Sequence, residues 1–168
     1  MELWDAYTRD GELTDQILVR DEPIPEGLYH LVGEALVRHV DGSFLCMKRA
    51  ACKKLYPGYY ETTAGGSALR GEDQYQCVKR ELWEETGIRC EKFEEVGRCV
   101  EDSSHSIFYE FVCVVDCEKD SIRFQEGETE GYRWMKPDEF LEYVDSDRAI
   151  DTQVERFREY FDRLKAEC

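Results

Sequence analysis

Three carboxylates, Glu81, Glu84 and Glu85, fall within one turn of a predicted helix in the stretch GSALRGEDQYQCVKRELWEETGI, residues 66–88. At about 100° per residue the three share one arc of the helix surface. Like charges so close repel by a few tenths of a kcal/mol or more per pair, and the chain already carries a formal charge of −16. A hard divalent cation with oxygen ligands is the simplest way to make such a cluster favourable. Upstream, RAACKKLYPGYYETTAGG holds a basic cluster, Arg49, Lys53 and Lys54, and the aromatics Tyr56, Tyr59 and Tyr60 around a Pro57-Gly58 turn.

The elements that must position these groups can be read in order. Leu3 to Arg20 predicts two short strands around Arg9-Asp10-Gly11, and Pro23 and Pro25 then impose an extended loop to Gly27. YHLVGEALVRHV, from Tyr29, predicts a strand, with Asp41-Gly42 a hairpin signal before SFLCMKR. The acidic helix has Asp73 as N-cap with Gln76 completing a capping box, and Gly87 as its C-terminal stop. Val78 and Leu82 face the core, with Tyr75 on the same side. FEEVGRCV and SIFYEFVCVVDC predict strands, the second apolar enough to be central. A loop, QEGETEGY, precedes a short strand around Arg133-Trp134-Met135, and Pro137 opens a short helix. The last helix runs from about Thr152, with Val154, Phe157, Phe161 and Leu164 at core spacing. The irregular mixture of strands and helices implies an α/β sandwich with a mixed sheet.

Composition narrows the class. At 168 residues, 42% hydrophobic, the chain reads as one domain with a core that needs no disulfides. Its negative charge argues against nucleic-acid polymers and anionic membranes as partners. An anionic small ligand would then need local cations or bound metal to offset that field. No apolar run approaches the roughly 20 residues of a membrane span, and MELWDAYTRD lacks a signal-peptide pattern, so a cytoplasmic location is expected. The eight cysteines form no C-x-x-C pair and no zinc spacing, which reads as free thiols used as small hydrophobes.

The stretch from Gly66 to Ile88 resembles the Nudix box, G-x5-E-x7-R-E-U-x-E-E-x-G-U with U aliphatic. Gly66, Glu72, Arg80, Glu81, Leu82, Glu84, Glu85, Gly87 and Ile88 fill it in order. The resemblance implies a Nudix-type α/β/α sandwich over residues 1–168, with residues 1–28 as an N-terminal hairpin and loop. It also implies a MutT-like pyrophosphohydrolase, dependent on Mg2+ or Mn2+, acting on a small phosphoanhydride. In the family's pattern Glu81, Glu84 and Glu85 hold metal, aided by the carbonyl of Gly65, and Arg80 orients the carboxylates. Cations there bridge phosphate oxygens and lower the pKa of the attacking water. Glu72 reads as structural, near the helix N-terminus or a basic group. The general base is left open between Glu81 or Glu85 on the helix and Glu126, Glu128 or Glu130 in the loop, with Glu128 the preferred loop candidate.

WDAYTRDGEL, PEGLYH and KRAACKKLYPGYYETTAGG are similar to the Nudix branch related to isopentenyl-diphosphate isomerase. In that branch basic residues before the P-G turn approach the diphosphate, which points to Arg49, Lys53 and Lys54; ammonium and guanidinium donors suit phosphate oxygens. The isomerase has a reactive cysteine before the box glycine and a metal-binding histidine after it. Here those positions are Gly65 and Ser67, so hydrolysis is favoured over isomerisation; a non-catalytic diphosphate sensor is the alternative from another class. His30 is a candidate substrate group or a packed strand histidine. Tyr59, Tyr60, Phe108 and Tyr109 could stack on a ring or belong to the core. A homodimer, with the N-terminal hairpin as its arm, is a further expectation.

Overall fold

Alternating apolar residues, interrupted by Gly, Pro and Asp at the turns, divide the chain into nine strands and four helices among the residues described, 1–167, by the computed structural model. Cys168 lies outside them. β1 (Leu3–Tyr7) and β2 (Leu13–Val19) form a separate antiparallel hairpin, turned at Gly11 with φ 89°. It is tied to the rest by a reciprocal backbone pair, Tyr7 N–H to Tyr29 O at 2.8 Å and Tyr29 N–H to Tyr7 O at 2.9 Å. Trp4 stacks on His30 with ring centroids 4.2 Å apart, and Arg9 binds both oxygens of Asp102 at 2.9 and 3.1 Å.

The main sheet is built on β3 (His30–His39), which runs parallel to β8 (Ser106–Val115) along its whole length. The remaining ladders are antiparallel, so the sheet is mixed, as expected. β7 (Glu94–Glu101) pairs with β8 on its outer side, which places β8 inside the sheet. β6 (Thr63–Ser67) takes the other edge of β3 from Val32 to Leu36. That occupancy shortens the Asp41-Gly42 hairpin. The turn forms, with Gly42 at φ 93°, but β3 and β4 (Phe44–Arg49) keep only the Arg38–Phe44 pair and then part. β4 instead carries β5 (Tyr60–Glu61) and β9 (Thr129–Met135).

Helix α1 (Gln74–Thr86) covers one face of the sheet. Its capping box forms as read, Gln76 N–H to Asp73 Oδ1 at 2.8 Å and Asp73 N–H to Gln76 Oε1 at 2.9 Å, and Gly87 ends it at φ 75°. Val78 and Leu82 are buried, packed with Ala35, Phe111, Val37 and Ala64. Tyr75 is half exposed, although its ring leans on Phe111 at 5.1 Å.

The opposite face is covered by α2 (Pro137–Val144), α3 (Asp151–Arg156) and α4 (Arg158–Glu167). The single final helix expected from about Thr152 is thus two helices meeting at Phe157. All four of its expected core residues, Val154, Phe157, Phe161 and Leu164, are buried against Leu36, Phe44 and Val112. Each such side chain contributes on the order of 1.5–3 kcal/mol by burial. β9 starts earlier than expected, so Glu130 stands in a strand and Glu128 just before it.

Two charges lie inside the sheet: Glu34 on β3 and Glu110 on β8, adjacent in the parallel ladder and both buried. Arg156 from α3 answers Glu34 through two hydrogen bonds while its guanidinium lies over the Phe108 ring at 4.1 Å. Cys46, Cys77 and Cys113 are buried, Cys90, Cys99 and Cys117 are partly covered and Cys52 is exposed; all seven are free. Among the described residues no helix is long and apolar enough to cross a membrane.

Candidate active site

The Gly65-Gly66 pair on β6 brings the sheet against the acidic edge of α1. A Cβ on Gly65 would sit 2.3 Å from the Gly33 carbonyl oxygen and 2.6 Å from Glu34 Cα, so the strands approach only because none is there. A Cβ on Gly66 would meet the Glu81 carboxylate at 2.6 Å. Glu85 lies against the same strand and accepts a hydrogen bond from the Gly65 N–H at 3.1 Å.

Arg80 organises the rest of the acidic edge. Its guanidinium donates to Glu72 Oε1 and Oε2 at 2.7 and 2.9 Å, to Glu81 at 2.6 Å, to Glu84 at 3.2 Å and to the Ser67 carbonyl at 3.1 Å. Glu72 also accepts from the Leu69 N–H at 2.9 Å, which closes the loop before α1. Burial raises the Glu72 carboxyl, but the Arg80 hydrogen bonds outweigh it and hold the group below its ordinary value. Glu72 therefore clamps the loop to Arg80.

Glu85 is pushed well above the usual carboxylate range, first by burial and then by the charges of Glu61 and Glu81, with Glu128 adding to them. Glu81 is raised by burial despite Arg80. These carboxylates open on a cavity of about 480 Å³ with Gly65, Gly66, Ser67, Lys53, Gln125 and Glu128 in its wall. Lys53 pairs with Glu128 across the mouth.

The donors on offer are all oxygens, which suits magnesium or manganese. Glu81 is paired with Arg80 and Glu61 with Arg49, whereas Glu85, repelled by both carboxylates, has only the Gly65 N–H as partner and lacks the counter-charge a cation would supply. Among the described residues no three acidic, His or Cys side chains stand together as a finished cage, because Arg80 holds Glu81 and Glu84. Binding an ion would therefore require these carboxylates to exchange Arg80 for metal. On donor chemistry the residues fit the ion.

The basic cluster divides. Lys53 lines the cavity, whereas Arg49 is turned to Glu61 and to the Leu55 carbonyl at 3.0 Å. Arg49 thus sits behind Glu85 as a partner of one of its repelling neighbours. Lys54 is exposed and contributes nothing to the cavity wall. Of the loop acids, Glu128 reaches the cavity; Glu130 is occupied by Lys48 at 2.8 Å and the Ala51 N–H at 3.1 Å. His30 is packed between Trp4 and the His105 carbonyl, 3.1 Å from its Nδ1, and burial lowers its pKa. Tyr59 and Tyr60 line a different hollow, about 320 Å³, with Arg133 and Tyr143. Phe108 and Tyr109 are covered by Arg156 and Arg98.

Sequence reasoning missed part of the wall. Glu2, Trp4, Arg20, Asp21 and Gln125 all line the cavity. The first four come from the hairpin, where nothing in their spacing signals a partner 60 residues on.

A profile of the NUDIX domain matches residues 30–155. The chain is 39% identical over 88 residues to an uncharacterized Nudix hydrolase of Listeria monocytogenes, a match covering 52% of each protein. The chain thus spans about half the length of that relative. It is 26% identical over 126 residues to an isopentenyl-diphosphate Delta-isomerase of Corynebacterium diphtheriae, covering 70% of this chain and 69% of that one. A crystal structure of a Deinococcus radiodurans protein superposes with a TM-score of 0.72 at 19% identity, covering 97% and 99% of the two chains. With Gly66, Arg80, Glu81, Glu84 and Glu85 of the box lining one cavity and the profile covering residues 30–155, this chain belongs to the Nudix family.

Proposed function

We propose that the protein is a metal-dependent hydrolase that cleaves the diphosphate linkage of a nucleoside diphosphate derivative or a related pyrophosphate. The observation that carries this reading is the buried Glu85 carboxylate, crowded by Glu81 and Glu61 and open to a polar cavity. Glu81, Glu84, Glu85 and the Gly65 carbonyl would hold magnesium or manganese, which would neutralise phosphate charge and acidify water. Lys53 binds a phosphate oxygen. Glu128, on the cavity wall and more exposed than Glu85, is the proton acceptor, and its pairing with Lys53 orients it. Isomerisation is disfavoured because Gly65 and Ser67 leave the acid–base pair without its cysteine, and Cys77 is turned away, its thiol bonded to the Gly66 carbonyl at 3.2 Å. Small-molecule selectivity, a cytoplasmic location and a homodimer complete the proposal.

The experiment is a panel of dinucleotides, nucleotide sugars and nucleoside di- and triphosphates with magnesium or manganese, products being identified by mass. Turnover of at least one diphosphate, lowered by a factor of about 100 or more in Glu85→Gln, is the expected result. A panel with no turnover, or a variant as active as the parent, overturns it.

A further inference from the structure

Part of the cavity wall precedes the family match, which begins at residue 30. We propose that the N-terminal hairpin is part of the substrate site, and that Arg20 binds the phosphate chain opposite Lys53. This rests on the diphosphate reading above.

The placement is built in. β1 holds the loop that leads into α1: the Arg70 N–H donates to the Leu3 carbonyl at 2.8 Å and the Gly71 N–H to Asp5 Oδ2 at 2.7 Å. The hairpin is thus fastened to the box itself, as well as to Tyr29 and Asp102. A wall held from both sides keeps its position when a ligand enters.

Charge selects Arg20 within that wall. The cations lining the cavity are Arg20, Lys53 and Arg80. Arg80 is held by three carboxylates and a carbonyl, and it stays tied to Glu72 and the Ser67 carbonyl even when Glu81 and Glu84 turn to metal. Lys53 is held by one carboxylate, Glu128, and Arg20 likewise by one, Glu2 Oε2 at 2.9 Å. Glu2 is itself fixed by the Trp4 indole N–H at 2.8 Å, so it stays in place when Arg20 swings away. The Arg20 side chain is 58% exposed and feels the charge of Glu81 across the cavity. The following residue, Asp21, closes the turn in the left-handed region at φ 68° and also lines the cavity, which keeps Arg20 at its lip. Two loosely held cations in the wall of one acidic cavity can engage two adjacent phosphoryl groups. A lone phosphate would engage only one of them.

The test measures magnesium-dependent binding of methylenediphosphonate by calorimetry for the parent, Arg20→Ala, Arg20→Lys and Glu2→Gln. KM and kcat are taken on whichever panel substrate turns over, and circular dichroism checks folding. Losing a charge-assisted contact to phosphate predicts a Kd and KM at least tenfold higher in Arg20→Ala with kcat within about threefold. Arg20→Lys falls between, and Glu2→Gln binds tighter than the parent because Arg20 loses its competitor. Binding within twofold of the parent in Arg20→Ala overturns the inference, as does an unchanged Glu2→Gln if the alanine variant fails to fold. Turnover by the parent with an unmoved KM in Arg20→Ala removes only the hairpin inference. Arg20-dependent binding without turnover removes only the hydrolytic reading, and a parent that binds no diphosphonate overturns both.

Discussion

Glu85, the metal ligand proposed above, sits where its own charge works against the stability of the fold. Its carboxyl is raised by burial and by Glu61 and Glu81. Below about pH 4.5 the neutral form costs the fold nothing, and as pH rises the folded state must either keep the proton or bury a charge, so stability falls. Without metal, Glu85→Gln is therefore expected to melt a few degrees higher than the parent at pH 7.5. Adding magnesium should raise the parent's Tm, since an ion that binds only the folded state stabilises it, and should raise the variant's much less. Equal magnesium shifts in differential scanning fluorimetry would contradict the assignment. The glycines before it divide by what they touch. In Gly65→Ala the new Cβ meets Gly33 and Glu34 backbone, which cannot yield, so a loss of about 3 kcal/mol or more is expected in urea unfolding. In Gly66→Ala it meets the end of the Glu81 side chain, which can turn aside. Stability there should change by less than about 1 kcal/mol, while the displaced carboxylate lowers kcat.

Among the elements, α1 is the one whose ends are most legible. Asp73 and Gln76 close a reciprocal box, and Gly87 stops the helix in the left-handed region. Asp73→Ala should cost about 1 kcal/mol, or about 2–4 °C in Tm for a domain of this size. Because the box lies two turns from Glu81, kcat should hardly move, and a large loss of activity would count against a purely structural cap. The other elements show what local pattern conceals. Val154, Phe157, Phe161 and Leu164 were recognisable as core, yet the break at Phe157 was not, since the apolar spacing continues through it. Strand β4 leaves β3 after one pair because β6, 20 residues later, takes the edge. Competition between distant strands has no local signal.

Across the whole molecule the least expected feature is the ionic layer between the sheet and α3. Glu110 is raised to about 7, first by burial and then by Glu34, with Arg156 and the Cys99 thiol opposing. One of its oxygens, Oε1, has no hydrogen-bond partner. A carboxyl that keeps its proton longer in the fold than in the unfolded chain loses stability as pH rises from about 4.5 to 7. The shift corresponds to at most about 3 kcal/mol. Glu110→Gln should flatten the fall of Tm between pH 5 and 7.5 relative to the parent. Parallel curves for the two proteins would show that Glu110 does not titrate in this window.

The sequence by itself determined the parts whose physics is local. Glu81, Glu84 and Glu85 share a helix face by spacing alone, Asp73 and Gly87 bound that helix by capping, and Arg80 and Glu72 lie within its reach. Tertiary structure decided everything that depends on which distant groups meet. It sorted the basic cluster, sending Lys53 to the cavity and Arg49 to Glu61, because Arg49 ends β4 beside β5, which carries Glu61, while Lys53 lies in the loop that follows. It separated Glu128 from Glu130 by starting β9 at Thr129: Glu128 stays in the loop and reaches the cavity, while Glu130 is fixed in the strand beside Lys48 and the Ala51 N–H. It also set Arg20 and Trp4 on the same cavity as Glu81, about 60 and 80 residues away in sequence, through hydrogen bonds from the hairpin to the loop before α1. Spacing along a chain specifies neighbours on one element; only packing specifies neighbours across elements.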